Sequence, residues 1–362
     1  MRCREAVLLV GGRGTRLRPL TVGIPKPMLP TAGVPFVHHQ LSMLCAAGVE
    51  HVVLATAYRP EDFRDGLGDG SGLGLRVDYA HEDDPMGTGG AIRNVAGLLE
   101  SGPDDPVVVL NADVLSGHEL SWQVETHLAA GADVTLHLTE VEDARAFGCV
   151  PTDAQGRVTA FHEKMPDPVT NRINAGCYVF RRSVIDGIPA GRKVSVERET
   201  FPGLVESGAV VLGHADQAYW LDVGTPAAYV LGSRDVVRGV LASEAMPGPT
   251  GERLVLGGAR LAADAVVRGG TTVGARTVIA DGTLVEGSVL LNDSVIGPGS
   301  TVRDSAVGRG ARIGAGVVLD GVVVGDGAVV GDGNELTSGA RVWCDAHIPP
   351  YAIRFSPDEP NL

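Results

Sequence analysis

Short aliphatic runs punctuate the first two thirds of the chain. Val7–Val10, Val52–Ala55 and Val107–Leu110 are continuous apolar stretches, the pattern of strands covered on both faces in a parallel sheet. Between them, Phe36–Ala47, Gly89–Leu99 and His118–Ala130 space their apolar residues three and four apart, so each predicts a helix with one buried face. Strand and helix alternating in this way predict an α/β domain, a Rossmann-like and mostly parallel sheet with helices on both faces. Asp133–Thr139, Gly148–Val150, Val158–Glu163 and Ala175–Phe180 predict further strands with shorter connections, an elaborated edge of the same sheet.

Beyond residue 240 the period changes. The stretch 241–252, LASEAMPGPTGE, has the Pro/Gly mixture of a linker. Aliphatic residues then recur every six positions at Val267, Val273, Ile279, Val285 and Leu291. After a five-residue step they resume at Ile296 and Val302, then at Val307, Ile313 and Leu319, and at Val324, Val330 and Leu336. Six fits neither a helix nor a simple strand alternation. It fits a left-handed parallel β-helix, whose flat sides each offer one inward aliphatic residue. A disordered Gly-rich tail would lack so regular a series. The expected organisation is the α/β domain over 1–240, a linker over 241–252 and a β-helix over 253–362.

Composition narrows the function. A formal net charge of −14 argues against wholesale binding to nucleic acid or anionic lipid, so any anion site must be a local cationic pocket. Five cysteines without CxxC spacing read as reduced thiols of a cytoplasmic protein. No stretch is long enough to span a membrane, and the apolar run near the N-terminus is too short for a signal peptide. Only three of the thirty basic residues are lysine: Lys26, Lys164 and Lys193.

The first strand breaks into GGRGTRLRPLTVGIPKPMLP. A glycine-rich turn after a parallel strand lets backbone N–H groups approach phosphate oxygens. Alone, this turn suits a phosphate or an ordinary loop, because it matches neither GxxxxGK[ST] nor GxGxxG. Pro25 and Pro27 bracket Lys26 and stiffen the backbone around it, and a lysine kept in an arginine-rich chain suits a site needing a compact ammonium. Asp113 follows a strand end, where it could ligate a metal or cap a turn. Asp222 precedes Gly224-Thr225-Pro226 and is equally compatible with a metal site or a helix start.

The stretch GGRGTRLRPLT…PKPMLP resembles the signature of the sugar-1-phosphate nucleotidyltransferases, the NDP-sugar pyrophosphorylases. PMGTGGAI (85–92) resembles that family's base-binding loop, and LNADVL (110–115) its metal-aspartate strand end. FGCV (147–150), FHEK (161–164) and INAGCYVF (173–180) are similar to its sugar-binding segments, and YWLDVGTPAAYV (219–230) to its second metal-aspartate motif. Ala112 departs from the glycine usual before the aspartate. The C-terminal repeat is similar to that of the mannose-1-phosphate guanylyltransferase and glucose-1-phosphate adenylyltransferase branches.

The resemblance implies residue roles. Arg16 and Lys26 would be catalytic. Gly11, Gly12, Gly14, Thr15, Glu82, Gly87 and Thr88 would meet the nucleotide. Gly148, Glu163, Lys164 and Asn174 would meet the sugar phosphate, and Asp113 and Asp222 would hold Mg²⁺. Adjacent residues of a regular strand face opposite sides, so Glu163 and Lys164 are expected to contact different atoms. Glu82 would accept from both N1–H and the N2 amine of guanine, favouring GTP over ATP; it could equally be one acid in a solvated run with Asp83 and Asp84. The implied reaction joins a nucleoside triphosphate, GTP first, to a sugar-1-phosphate, mannose-1-phosphate first. Alternatives are a cyclitol phosphate such as valienol-1-phosphate, glucose-1-phosphate with ATP or dTTP, and a regulatory scaffold. Acyl transfer by the repeat domain has no candidate histidine over 253–342. A homo-oligomer, dimer or tetramer, is expected to form partly through the repeat domain.

Overall fold

The computed structural model describes residues 3–337 and 339–354; Ser338 and 355–362 of the expected C-terminal domain lie outside the described residues. The chain forms two compact units. The first comprises the described residues up to Gly12 together with Gln40–Trp220; the second comprises Arg13–His39 and the described residues from Leu221 onward. The boundary expected near 240 therefore falls within the second unit.

The first unit is built on a nine-stranded sheet. Its strands are β1 (Glu5–Leu9), β2 (His51–Thr56), β3 (Arg76–His81), β4 (Pro106–Asn111), β5 (Val134–Glu140), β6 (Gly148–Cys149), β7 (His162–Glu163), β8 (Arg172–Arg181) and β9 (Val211–Ala215). The order is β7-β6-β8-β4-β1-β2-β3, with β5 paired to β8 and β9 to β5. The three runs expected as buried strands become β1, β2 and β4, mutually parallel and in register, with Leu9 opposite Ala55 and Asn111. Their valines, with Tyr178, Phe180 and Phe201, make a core closed to water. That closure is the reason these segments read as unbroken apolar runs.

Several boundaries differ from expectation. The helix foreseen over Gly89–Leu99 is an α-helix over Gly87–Asn94 followed by a 3-10 turn over Val95–Leu98. The strand foreseen over Val158–Glu163 is reduced to β7, preceded by the single bridge Thr152–Val158. Strand β3 and the helix Pro60–Leu67 were not foreseen. Among the described residues strand β3 pairs only with β2, and its Arg76 and His81 are exposed. An edge strand of this kind carries a weak hydrophobic pattern.

In the second unit, three parallel sheets of six, six and five strands stack into the left-handed β-helix. The register Val273↔Leu290↔Val307↔Val324 repeats every 17 residues, so the middle coils have sides of six, six and five, while Val255↔Val273 and Val324↔Val342 are 18 apart at the two ends. The five-residue step falls between Val285 and Leu290, and Leu290, not Leu291, joins the apolar column. At the corners the coils nearly touch: a Cβ on Gly297 would lie 2.5 Å from the Gly314 backbone, which leaves no space for a side chain.

Candidate active site

Strands β1 and β4 run side by side and end together, with Leu9 opposite Asn111. Gly11 and Gly12 therefore leave the sheet at the same carboxyl edge as Asp113. The backbone there is tied down, as Ala112 N–H donates to Leu9 O at 3.2 Å and Gln40 Nε2 donates to the carbonyls of Asn111 and Val114. Loops at this edge of a parallel sheet are where ligands bind.

Glu82 follows β3 and is buried. Its Oε2 accepts the Met86 N–H at 3.0 Å, closing the turn that starts the helix Gly87–Asn94. Burial pushes the Glu82 carboxyl up, while the Met86 N–H and His81 pull it down in part. Glu82 is thus not part of a solvated run with Asp83 and Asp84, and one of its oxygens already braces the turn. Gly87 has a φ of +72° and packs on the Val194 carbonyl, which also accepts from Gly89 and Gly90 N–H. The Thr88 hydroxyl donates to Glu197 Oε2 at 2.8 Å and accepts from Val196 N–H at 3.0 Å. The segment Val194–Glu197 that holds this loop was missed in the sequence, where it forms no recognisable motif.

The sugar-segment residues also gather within the first unit. Glu163 pairs with Gly148 across β6 and β7, and a Cβ on Gly148 would lie 3.0 Å from Glu163 Oε2. Strand β7 stops at Glu163 because Lys164 adopts a φ of +53°, a left-handed geometry rare outside glycine. The turn brings Lys164 Nζ back to 3.6 Å from Glu163 Oε1. The two residues therefore meet, contrary to the opposite-face expectation for a regular strand. Asn174 stands where β8 shifts register against β5; its Nδ2 donates to the Tyr178 hydroxyl and its Oδ1 accepts from Gly176 N–H. Phe147 meets the edge of Trp220, whose indole donates to Ala175 O.

In the second unit, Gly14, Thr15, Arg16 and Lys26 lie on one strap, Arg13–His39, and Asp222 ends the strand Trp220–Asp222. Gly14 has a φ of +58°, and a Cβ there would lie 2.8 Å from Lys26 Cβ. Only glycine allows both the turn and the close packing on Lys26. The Gly14 carbonyl accepts from Thr21 Oγ1 at 2.7 Å. Thr15 and Arg16 form a 3-10 turn with Leu17. Lys26 is almost wholly buried, with Nζ 4.0 Å from Asp222 Oδ1. The Arg16 guanidinium lies across Gly224, where a Cβ would meet its Nη2 at 2.7 Å. Gly224 is a further residue missed in the sequence. Thr225 caps the helix Pro226–Arg238 by accepting from Ala228 N–H.

Comparison with known proteins gives the family. The Nucleotidyl transferase family model covers residues 5–238, and the model for the GMPPB C-terminal domain covers residues 250–345. The chain belongs to the nucleotidyl transferase family. It is 52% identical to the mannose-1-phosphate guanylyltransferase of Mycobacterium tuberculosis, over 98% of each chain. Mannose-1-phosphate guanylyltransferase 1 of Arabidopsis thaliana is 38% identical over 64% of each chain. Among solved structures, HddC from Yersinia pseudotuberculosis complexed with GMP-PN is similar with a TM-score of 0.56 and 28% identity, covering 64% of this chain and 99% of that one.

Members of this nucleotidyl transferase family use a divalent metal. Among the described residues no group of three or more His, Cys, Asp or Glu side chains could hold one. The candidate donors, Asp113 and Asp222, are hard carboxylates without thiolate or imidazole. Each suits an ion that takes few protein oxygens and completes its shell with phosphate and water. Among the described residues no helix is long and apolar enough to cross a membrane.

Proposed function

We propose that this nucleotidyl transferase condenses GTP with mannose-1-phosphate, giving GDP-mannose and pyrophosphate. The observation that carries the reading is the strap, where Gly14 packs on Lys26, Lys26 faces Asp222 and Arg16 rests on Gly224. Lys26 is thereby fixed beside the Asp222 carboxylate, and Arg16, on the same strap, against Gly224. The 52% identity to a mannose-1-phosphate guanylyltransferase over nearly the whole chain supports the substrate pair. The adenylyl, thymidylyl and cyclitol alternatives find no such support, and the retained charged residues do not suit a scaffold.

A phosphate oxygen of mannose-1-phosphate attacks the α-phosphorus of GTP, and the bond to the β-phosphate bridging oxygen breaks as pyrophosphate leaves. Both reactants are polyanions, so positioning and charge neutralisation do the work. Arg16 neutralises the triphosphate and the leaving pyrophosphate. Lys26 meets the α-phosphate or the attacking oxygen. Gly11, Gly12, Gly14 and Thr15 offer backbone N–H groups to the phosphates, while Glu82, Gly87 and Thr88 border the base. Glu163, Asn174 and the Gly148 backbone meet sugar hydroxyls, and Lys164 meets the sugar phosphate. Asp113 and Asp222 would hold Mg²⁺, which supplies charge neutralisation on the phosphate oxygens. The five cysteines are free, which suits a cytoplasmic enzyme, and the β-helix is where we place a homo-oligomer contact.

Asp113→Asn and Asp222→Asn test the reading. Each is expected to lower turnover by at least ~100-fold with folding intact, through loss of a metal carboxylate. Normal metal-dependent turnover in either variant would remove that aspartate from the site.

A further inference from the structure

The strap Arg13–His39 is held by residues far along the chain. Tyr229, buried in the helix Pro226–Arg238, donates its hydroxyl to Pro30 O. Ala32 N–H donates to Ser233 Oγ at 3.0 Å, and His39 shares a hydrogen bond of 2.6 Å with Ser243 Oγ. At the end that carries Arg16, the grip comes from the β-helix. Arg341 Nη1 donates to the Arg18 carbonyl at 2.7 Å, across 323 residues of sequence. Cys344 Sγ lies 3.6 Å from the Pro19 carbonyl.

Arg341 belongs to the strand Arg341–Val342. Val342 points into the apolar column of the β-helix while Arg341 faces outward, as alternation along a strand requires. Arg18 closes the 3-10 turn Thr15–Leu17, its own N–H donating back to Thr15 O at 3.2 Å. A guanidinium therefore holds the turn by a carbonyl two residues past Arg16. The bond is charge-assisted, and its donor stands on a rigid stack of coils rather than on a loop.

We propose that Arg341 is a positioning residue for nucleotidyl transfer: it fixes the turn that aims Arg16, so the β-helix takes part in catalysis through this contact. The inference rests on the reading of Arg16 as the triphosphate ligand. An exposed arginine of no consequence would leave the turn and turnover unchanged when removed.

The test uses full-length Arg341→Ala and Arg341→Lys, with steady-state kinetics on GTP and mannose-1-phosphate and hydrogen exchange of backbone amides over residues 13–20. Arg341→Ala should lower kcat about tenfold, the scale expected for a small misplacement of a catalytic group. The KM for mannose-1-phosphate should stay within about twofold of wild type, and amide exchange in the turn should quicken. Arg341→Lys keeps a donor and a charge, so it should restore most of the lost kcat and slow the exchange again. Unchanged exchange in Arg341→Ala would overturn the grip itself. Faster exchange with unchanged kcat would overturn the catalytic role and place the failure at Arg16. A lysine variant as impaired as the alanine variant would also overturn the proposal.

Discussion

At the scale of single residues, the site depends on contacts that leave no room for an added atom. Gly224 lies under the Arg16 guanidinium, the mobile end of a long side chain. Gly224→Ala should therefore displace Arg16 without disturbing the core. The expected result is a fall in kcat/KM of about 10- to 100-fold with an unfolding temperature within about 2 °C of wild type; unchanged kinetics would separate Arg16 from the reaction. Glu82 carries a second expectation. If its free oxygen reads guanine while the other braces Met86, Glu82→Gln should lower the GTP-over-ATP ratio of kcat/KM by one to two decades, about 2–3 kcal/mol. An equal loss for both nucleotides would make Glu82 a brace alone. Lysine scarcity and flanking prolines singled out Lys26, which is buried. Gly224 was not, because Gly-Thr-Pro reads locally as a helix start and nothing in it announces an arginine arriving from residue 16. The fold-back of Lys164 onto Glu163 was hidden for a similar reason: a positive φ at lysine has no sequence signal.

At the scale of elements, the helix Leu120–Ala130 and strand β5 are joined through buried histidines. The His118 ring stacks on His137 at 3.9 Å, shares a hydrogen bond with Ser116 Oγ and approaches Gln123 Oε1 at 3.2 Å. Burial, reinforced by His137, pushes the His118 pKa down to about 3, against a smaller upward pull from Asp216. A folded-state pKa below the unfolded value means that stability is complete above about pH 6.5 and is lost as the pH falls toward 3. At pH 5 the loss from this one group should be about 2 kcal/mol. Denaturant unfolding of wild type and His118→Gln at pH 7 and pH 5 checks this: the variant should lose less stability on acidification, and an equal loss would place the proton elsewhere. Elements closed to water on both faces, such as β1, β2 and β4, were legible from the sequence. The edge strand β3 and the short β7 were not, because exposed or nearly isolated strands need no apolar run.

At the scale of the whole molecule, a period of six was enough to read the β-helix, and the one-residue slip at Leu291 arose because two adjacent leucines, 290 and 291, both suit the column. The association of Arg13–His39 with residues beyond 220 was not legible, since its hydrogen bonds join positions some 200 to 325 apart and local pattern carries no trace of them. The expected homo-oligomer belongs at this scale. Tyr351 and Ile353 are exposed near the end of the last described coil, and sedimentation of the full-length chain should give a dimer or larger that Tyr351→Asp shifts toward monomer; a monomer in both would remove the β-helix as an assembly element. The central claim, guanylyl transfer to mannose-1-phosphate, is tested most directly by pyrophosphate release across a grid of GTP, ATP, dTTP, CTP and UTP against mannose-, glucose- and cyclitol-1-phosphates. GTP with mannose-1-phosphate should exceed every other pair in kcat/KM by at least ~30-fold, about 2 kcal/mol of differential transition-state binding. A faster rate with another nucleotide, or with a cyclitol phosphate as acceptor, would contradict it.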